Sequence, residues 1–209
     1  MQARENILSK IRQALNKTVP VQFLERNHSE RIFQPLQQDI ELEFAENFTK
    51  LQGRFSYCAN REELTVQLNE LVTKRNWKHI LCKETELKNS LQKNGFNSFD
   101  ETINLHDCDA SITTCESLIA RTGTIVLLSN NESGRSTSVY APVHICIAFT
   151  SQLVYDISDT LSIIKAKYES NFPSIITLAT GPSRTADIEK TLVVGVHGPK
   201  EVFCFLLDE

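Results

Sequence analysis

The spacing of apolar residues divides the chain into an N-terminal appendage and a larger body. Apolar residues recur at helical intervals in the segment ARENILSKIRQALN, at Ile7, Leu8, Ile11 and Leu15. This pattern predicts an amphipathic helix, which would pack either on the protein's own core or on a partner protein. The polar stretch KTVPVQFLERNHSERIFQPLQQ follows without a sustained period and is typical of an extended arm. We therefore expect a helix and arm over residues 1–39 and one domain over residues 40–209.

From residue 40 onward, segments with helical spacing alternate with short β-branched runs. The predicted order is helix in IELEFAENFTKLQ, strand in RFSYCA, helix in NREELTVQLNELVTKRN, strand in HILC and helix in ETELKNSLQKNG. Asn60 followed by Glu63 resembles a capping box at the second helix, and Gly95 is a suitable end for the third. Alternation of this kind predicts parallel strands covered by helices.

The second half of the chain is richer in strands. ASITTCESLIA, TIVLLS and VHICIAFT leave no room for helices between them and are predicted to be adjacent strands. DISDTLSIIKAKYES is predicted to be a helix capped by Asp156 or Ser158, and SIITLAT to be a buried strand. LVVGV and EVFCFLLD flank the turn HGPK and are expected to form an antiparallel pair. The complete pattern predicts an α/β domain with a mixed sheet.

Composition and charge exclude several classes of protein. The 22 Lys and Arg residues are outnumbered by 26 Asp and Glu, and the net charge of −4 provides no broad positive field for nucleic acid. Every apolar run is shorter than the roughly 18 residues that span a bilayer, and the N-terminus lacks a signal-peptide core, so a cytoplasmic location is expected. The six cysteines are scattered without a C-x-x-C pair, so neither an iron–sulfur cluster nor structural zinc is predicted and no cofactor is expected.

The segment SIITLATGPSRTADIEK is predicted to be a strand, a glycine turn and a helix. Gly181 suits the turn, and Ser183 or Thr185 can cap the helix. The helix N-terminus would attract a carboxylate or phosphate, with Arg184 as a bidentate partner. The alternative is a well-capped helix in which Asp187 and Glu189 merely complement the helix dipole. Nucleotide-binding glycine fingerprints are absent.

The polar loop in NNESGRSTSVYAPVHI is a second candidate for a ligand site. Arg135 could meet an anion there, and His144 is interpreted either as a proton-transfer group or as a structural, hydrogen-bonded histidine. No nucleophile is identified, because the G-x-S-x-G elbow is absent and Cys115–Glu116 has no activating base at a set spacing. His144, His197 and Glu116 lack the spacing of a metal site, so no bound metal is expected.

Three stretches resemble the LutC/YkgG family, the LUD domain of bacterial lactate-utilisation proteins: RTGTIVLL, SGRSTSVYAPVHICIAFTSQLV and GPSRTADIEKTLVVGVHGPKEVFCFLLD. The resemblance implies a three-layer α/β fold of the NagB/RpiA/CoA-transferase type. It also implies a role in oxidising L-lactate to pyruvate beside a cysteine-rich subunit and a ferredoxin-like iron–sulfur subunit. This chain would then be a cluster-free accessory subunit, with the redox centres held by its partners. The alternative function is a stand-alone enzyme acting on a small phosphorylated or CoA-linked substrate.

The resemblance also indicates which residues to examine. T-G-T corresponds to residues 122–124, P-x-H to Pro142 and His144, and the C-terminal signature to residues 181–189 and 197–199. Arg121 stands where many members of the family have an acidic residue, which either removes a catalytic group or supplies a partner for a carboxylate. No catalytic residue is transferred. The candidate ligand-binding residues are Glu116, Arg121, Thr122, Gly123, Thr124, Arg135, His144, Gly181, Ser183, Arg184, Thr185, Asp187 and His197.

Overall fold

The computed structural model describes residues 2–15, 35–36, 38–169, 171–188 and 191–208. The chain forms two compact units, Met1–Pro35 and Leu36–Glu209. The first contains helix α1 (Gln2–Leu15), which confirms the predicted N-terminal helix, and its apolar residues Ile7, Leu8 and Ile11 are exposed. Most of the predicted extended arm lies outside the described residues, and the boundary between residues 39 and 40 stays a prediction.

The larger unit combines helices with strands that form several sheets. Its helices are α2 (Ile40–Lys50), α3 (Arg61–Arg75), α4 (Thr85–Lys93), α5 (Thr137–Tyr140) and α6 (Ile157–Tyr168). Its strands are β1 (Arg54–Cys58), β2 (Ile80–Leu81), β3 (Ala110–Thr113), β4 (Ser117–Ile119), β5 (Thr124–Leu128), β6 (Val143–Phe149), β7 (Leu153–Val154), β8 (Ile176–Ala179), β9 (Arg184–Ile188), β10 (Thr191–Val194) and β11 (Glu201–Leu207).

Local sequence signals position several of these helices. The Asn60 side chain accepts a hydrogen bond from the Glu63 N–H at 2.9 Å, so the predicted cap of α3 is confirmed. At the start of α6 the cap is Asp156, which accepts from the Ser158 N–H at 3.1 Å. Gly95 follows α4 with φ +96°, a conformation that glycine adopts without strain.

A five-stranded parallel sheet in the order β1-β11-β6-β3-β2 forms the centre of the larger unit. β11 lies parallel to both β1 and β6, with Phe203 opposite Arg54 and Cys204 opposite Cys146. The expected antiparallel pairing of LVVGV with EVFCFLLD is therefore wrong. The reason is burial on both faces: β11 is a nearly continuous apolar run, which suits a central parallel strand better than a hairpin arm.

A second sheet in the order β7-β4-β5-β8 packs against one face of the first. The stretch predicted as one run, ASITTCESLIA, divides into β3 of the first sheet and β4 of the second. SIITLAT forms β8 as predicted, but β8 is an edge strand with Leu178 exposed rather than a buried one.

The helices and sheets of the larger unit pack on one another in layers. Helices α3 and α4 cover one face of the parallel sheet, through Leu64, Leu68, Leu87 and Leu91. The second sheet and α2 cover the other face, where Phe44 and Phe48 are fully buried. Helix α6 packs on the outer face of the second sheet through Ile164. The α/β fold class is therefore confirmed.

The helix predicted after Gly181 is wrong. Residues 184–188 form β9, which pairs antiparallel with β10, with Thr185 opposite Val193 and Arg184 opposite Val194. The apolar, β-branched residues of β10 provide a pairing partner, and pairing overrides the local helix-start signals. The free helix N-terminus that would have attracted an anion does not exist, so that route to anion binding is removed.

Candidate functional site

Four of the predicted site residues meet at one cavity beside the N-terminal end of β6: His144, Gly181, Ser183 and His197. The cavity has a volume of about 280 Å³ and is also lined by parts of α5, β5 and β8. Its described lining residues include no Asp, Glu, Lys or Arg, so its polar groups are hydroxyls, imidazoles and backbone. We call this cavity the His144 pocket.

Two loops containing glycine and proline, one after β8 and one before β11, form a wall of the His144 pocket. The Ser183 N–H donates to the Pro199 carbonyl at 2.9 Å, and the Gly195 N–H donates to the Ser183 carbonyl at 2.9 Å. The Lys200 N–H donates to the Pro142 carbonyl at 2.8 Å, which fixes the second loop to the residue before β6. These backbone hydrogen bonds hold the two glycine- and proline-containing loops together at one pocket.

His144 is the most deeply buried polar residue of the pocket, with 1% of its surface exposed. Its Nε2 lies 2.9 Å from the Thr113 Oγ1. Burial lowers the pKa of His144 to about 4, because the charged form would lose its hydration. The imidazole is therefore neutral at physiological pH. His197, by contrast, is exposed at the rim.

The T-G-T residues contribute to the pocket wall indirectly. Thr180, which lines the pocket, has its hydroxyl 2.8 Å from that of Thr124, which is in turn 2.7 Å from the Thr122 hydroxyl. Gly123 has φ +59°, and a Cβ there would lie 2.4 Å from the Phe48 backbone nitrogen. The glycine is required because α2 approaches this turn too closely for any side chain.

Gly181 is required for the same reason. Its φ is +83°, and a Cβ at this position would lie 2.5 Å from the Leu51 carbonyl oxygen, just past α2. Both signature glycines therefore allow close backbone contact with α2 or with the residue just past it.

Arg121, Glu116 and Arg135 lie outside the described pocket lining, and each has a hydrogen-bonding partner elsewhere. Arg121 Nε lies 2.5 Å from Asp156 Oδ2, and the backbone N–H of Arg121 donates to the Tyr155 carbonyl. Glu116 accepts from Lys167 Nζ at 2.9 Å and from the Tyr168 hydroxyl at 2.9 Å.

Arg135 donates to the Ser174 hydroxyl at 2.7 Å. Arg184, Thr185 and Asp187 lie in β9, where Arg184 is exposed. Arg121, Glu116, Arg135 and Arg184 are therefore not among the described lining residues of the His144 pocket.

A second cavity of about 380 Å³ lies at the C-terminal edge of the parallel sheet, and sequence analysis missed it. It is lined by the ends of β3 and β6 and by Glu84, which has 8% of its surface exposed. Glu84 accepts from the Thr114 N–H at 3.1 Å, the Thr114 hydroxyl at 2.6 Å and the Ser133 hydroxyl at 2.6 Å. The available signal was its position just after a predicted strand, where ligands of α/β sheets commonly bind.

The two cavities differ in charge. Glu84, Glu86 and Glu132 all line the C-terminal-edge cavity, where Arg61 is the cation. An anionic ligand is disfavoured beside three carboxylates, whereas the His144 pocket carries no acidic side chain among its described lining. The described lining of the His144 pocket therefore contains no carboxylate that would repel an anion.

Cys58, Cys82 and Cys115 are held as thiols. Burial raises the pKa of Cys58 to about 11 and that of Cys82 to about 12. The hydrogen bond with Cys146, together with burial, keeps the pKa of Cys115 well above its ordinary value. Within the described ranges, no three His, Cys, Asp or Glu side chains are grouped so that they could hold a metal ion.

The helices of the described residues include none with the length and apolar character to cross a membrane.

Comparisons with known proteins give one domain family and one related fold. The LUD domain family matches residues 42–207. Lactate utilization protein C of Bacillus licheniformis is 37% identical over 113 residues, which cover 53% of this chain and 47% of that protein. Lactate utilization protein C of Bacillus subtilis is 38% identical over 103 residues, covering 48% of this chain and 43% of that protein.

The curated relatives are thus matched over less than half of their length. An uncharacterized protein of Neisseria meningitidis is 38% identical over 94 residues, covering 45% of this chain and 40% of that protein. The crystal structure of a DUF162 family protein from Deinococcus radiodurans has a TM-score of 0.60 at 20% identity, covering 83% of this chain and 99% of that chain. At this identity the likeness concerns the fold alone.

Proposed function

This chain belongs to the LUD domain family, and on that premise we propose that it is a cluster-free accessory component of a system that oxidises L-lactate to pyruvate. Its curated relatives include proteins named lactate utilization protein C. In the proposal the chain binds a small carboxylate in the His144 pocket, and iron–sulfur proteins receive the electrons.

The observation that carries the ligand part of the proposal is the composition of the His144 pocket. Its volume of about 280 Å³ is at the lower limit for small-molecule sites and suits a ligand of a few heavy atoms. The Ser183 hydroxyl and the His197 ring lie at this pocket and can donate hydrogen bonds to a carboxylate. The described lining has no carboxylate that would repel such a ligand.

The state of the thiols supports placing the redox centres in other proteins. Oxidising lactate to pyruvate releases two electrons and two protons, and iron–sulfur clusters that carry electrons are held by thiolates. The raised pKa values of Cys58, Cys82 and Cys115 disfavour the thiolate form at these positions. The proposed iron–sulfur partners therefore supply the electron acceptor.

Copurification and growth test the assignment to lactate oxidation. A chromosomally tagged chain, isolated without oxygen from cells grown on L-lactate, is expected to retain iron–sulfur proteins. Deleting the gene should prevent growth on L-lactate and leave growth on pyruvate unchanged, and the wild-type gene should restore it. Normal growth of the deletion strain with L-lactate as sole carbon source would refute the proposal.

Direct binding tests the pocket. Calorimetric titration of the full chain with L-lactate should give saturable binding that His144→Gln weakens at least tenfold. Arg184→Ala is the matched control, because Arg184 is exposed on β9 and outside the pocket lining. Equal affinities of the wild-type and His144→Gln proteins would place the ligand elsewhere.

The alternative of a phosphorylated or CoA-linked substrate has lost its structural motivation. It required a helix N-terminus after Gly181, and that segment is strand β9. No lysine or arginine is found among the described residues of the His144 pocket to balance the second negative charge that a phosphate carries and a carboxylate does not.

A further inference from the structure

The His144 pocket contains a buried imidazole with only one of its two ring nitrogens bonded. Nε2 lies 2.9 Å from the Thr113 Oγ1, and Nδ1 makes no hydrogen bond within the described part of the chain. No fully buried side-chain nitrogen or oxygen of the described residues lacks a hydrogen-bond partner. Nδ1 is therefore not completely buried, and His144 lines the cavity from which a ligand could contact it.

Thr113 determines which ring nitrogen carries the proton. Its hydroxyl has a single hydrogen, and its Oγ1 also lies 2.9 Å from the Thr114 carbonyl oxygen, which can only accept. With that hydrogen donated to Thr114, the Oγ1 can only accept from His144. The proton of the neutral ring is then on Nε2, and Nδ1 presents a lone pair.

A ligand that contacts Nδ1 must therefore donate a hydrogen bond. The hydroxyl of a 2-hydroxy acid can do so, whereas the ketone oxygen of a 2-oxo acid would place one lone pair against another. Among the small carboxylates of the proposed function, those with a hydroxyl next to the carboxylate meet this requirement.

We propose that the His144 pocket selects 2-hydroxy acids over 2-oxo acids, and that Thr113 is the positioning residue because it fixes the Nε2-protonated tautomer. This inference rests on the proposed binding of a small carboxylate and specifies its chemical class. A bound 2-oxo acid would leave Nδ1 of His144 as an unpaired buried acceptor, which should weaken its affinity about tenfold or more relative to a 2-hydroxy acid. The pocket would then bind the substrate of lactate oxidation more tightly than its product.

The first test compares three ligands of similar size with the full wild-type chain. Calorimetric titration with L-lactate, pyruvate and propionate should give a dissociation constant for L-lactate at least tenfold lower than for the others. Equal binding of L-lactate and pyruvate would overturn the selectivity but leave carboxylate binding intact. Failure of all three ligands to bind would overturn both this inference and the ligand part of the proposed function.

The second test observes the tautomer without any ligand. In protein labelled with ¹⁵N-histidine, the His144 signals, assigned by their loss in His144→Gln, should show a protonated Nε2 and an unprotonated Nδ1. A protonated Nδ1 in the wild-type chain would overturn the inference directly.

Thr113→Val connects the two measurements. Removing the hydroxyl frees the imidazole to protonate Nδ1, so the preference for L-lactate over pyruvate should fall at least fivefold together with a change in the ¹⁵N pattern. Thr160→Val is the control, because it also removes a buried, hydrogen-bonded threonine hydroxyl, 2.9 Å from the Ser117 hydroxyl and outside the pocket lining. An unchanged ligand preference in a folded Thr113→Val protein would contradict the role of Thr113.

Discussion

Mild acid should destabilise the protein through His144 before most of its carboxylates are protonated. The side chain is 1% exposed, and burial lowers its pKa from 6.5 to about 4. In the unfolded chain the ring regains its ordinary pKa, so between these two values the unfolded state binds a proton that the native state does not. The stabilisation that neutral His144 provides is fully present above pH 6.5 and is lost as the pH falls from 6.5 to about 4.

The magnitude follows from the difference between the two pKa values. A shift of one pKa unit corresponds to about 1.4 kcal/mol, so the shift of His144 to about 4 corresponds to about 3 kcal/mol in the free energy of unfolding. Most of this is lost by about pH 4.5. For a protein of ordinary stability, that is a large fraction of the total.

Urea unfolding at a series of pH values from 7.5 to 4.5 measures the effect, with His144→Gln as the comparison. Gln does not titrate and can keep a hydrogen bond to Thr113. The variant should be less stable at pH 7.5, and the gap between the two proteins should narrow by about 2–3 kcal/mol as the pH falls.

The carboxylates that titrate in this pH range are present in both proteins, so their contributions to the pH dependence of the unfolding free energy cancel in the comparison. Asp100, for example, has a pKa lowered to about 2 by its hydrogen bond with His79, and it is present in each. Parallel stability curves for the wild-type and His144→Gln proteins would refute the reasoning, because they would mean that His144 takes up no extra proton on unfolding.

Four further substitutions have effects that the geometry specifies. Gly123→Ala should cost about 3 kcal/mol of unfolding free energy, because the alanine would be in a left-handed conformation and its Cβ would overlap the α2 backbone. The control Gly134→Ala, with φ +62° and open space around it, should cost only about 1 kcal/mol, and similar losses for the two variants would contradict the close approach of α2. Asn60→Ala should cost about 1 kcal/mol in thermal or urea unfolding, because it removes the cap of α3; an unchanged stability would count against that cap. Arg121→Ala should cost about 1–2 kcal/mol by breaking the ion pair with Asp156 and should leave the dissociation constant for L-lactate unchanged, whereas a tenfold weaker affinity would place Arg121 at the ligand.

The helices α3 and α6 could be predicted from the sequence because the capping hydrogen bonds that start them join residues close together in the chain. Asn60 caps α3 and Asp156 caps α6 through residues two or three positions away. Strands that depend on distant partners were harder. β11 pairs with β1 and β6 through contacts that no local pattern records, and β9 forms because β10 is available to pair with it, although Ser183 and Asp187 favour a helix start.

The candidate site could be predicted only in part for the same reason. The glycine and proline signatures led to His144, Ser183 and His197, which the fold brings to one pocket. Arg121 was grouped with them because of its position beside T-G-T, but its partner Asp156 is distant in sequence and invisible to motif reading. Glu84 was missed because a single glutamate after a strand carries no motif.

The contact of α2 with both glycine turns has a consequence for how this domain can change over evolution. A one-residue insertion or deletion in α2 would rotate the helix and alter the backbone presented to Gly123 and to Gly181 together. Neither turn could compensate alone, and Gly181 is itself part of the pocket wall. We therefore expect natural variants to preserve the length of α2 even where its outward-facing residues differ, so a helix with no ligand contact would limit the diversification of the binding site.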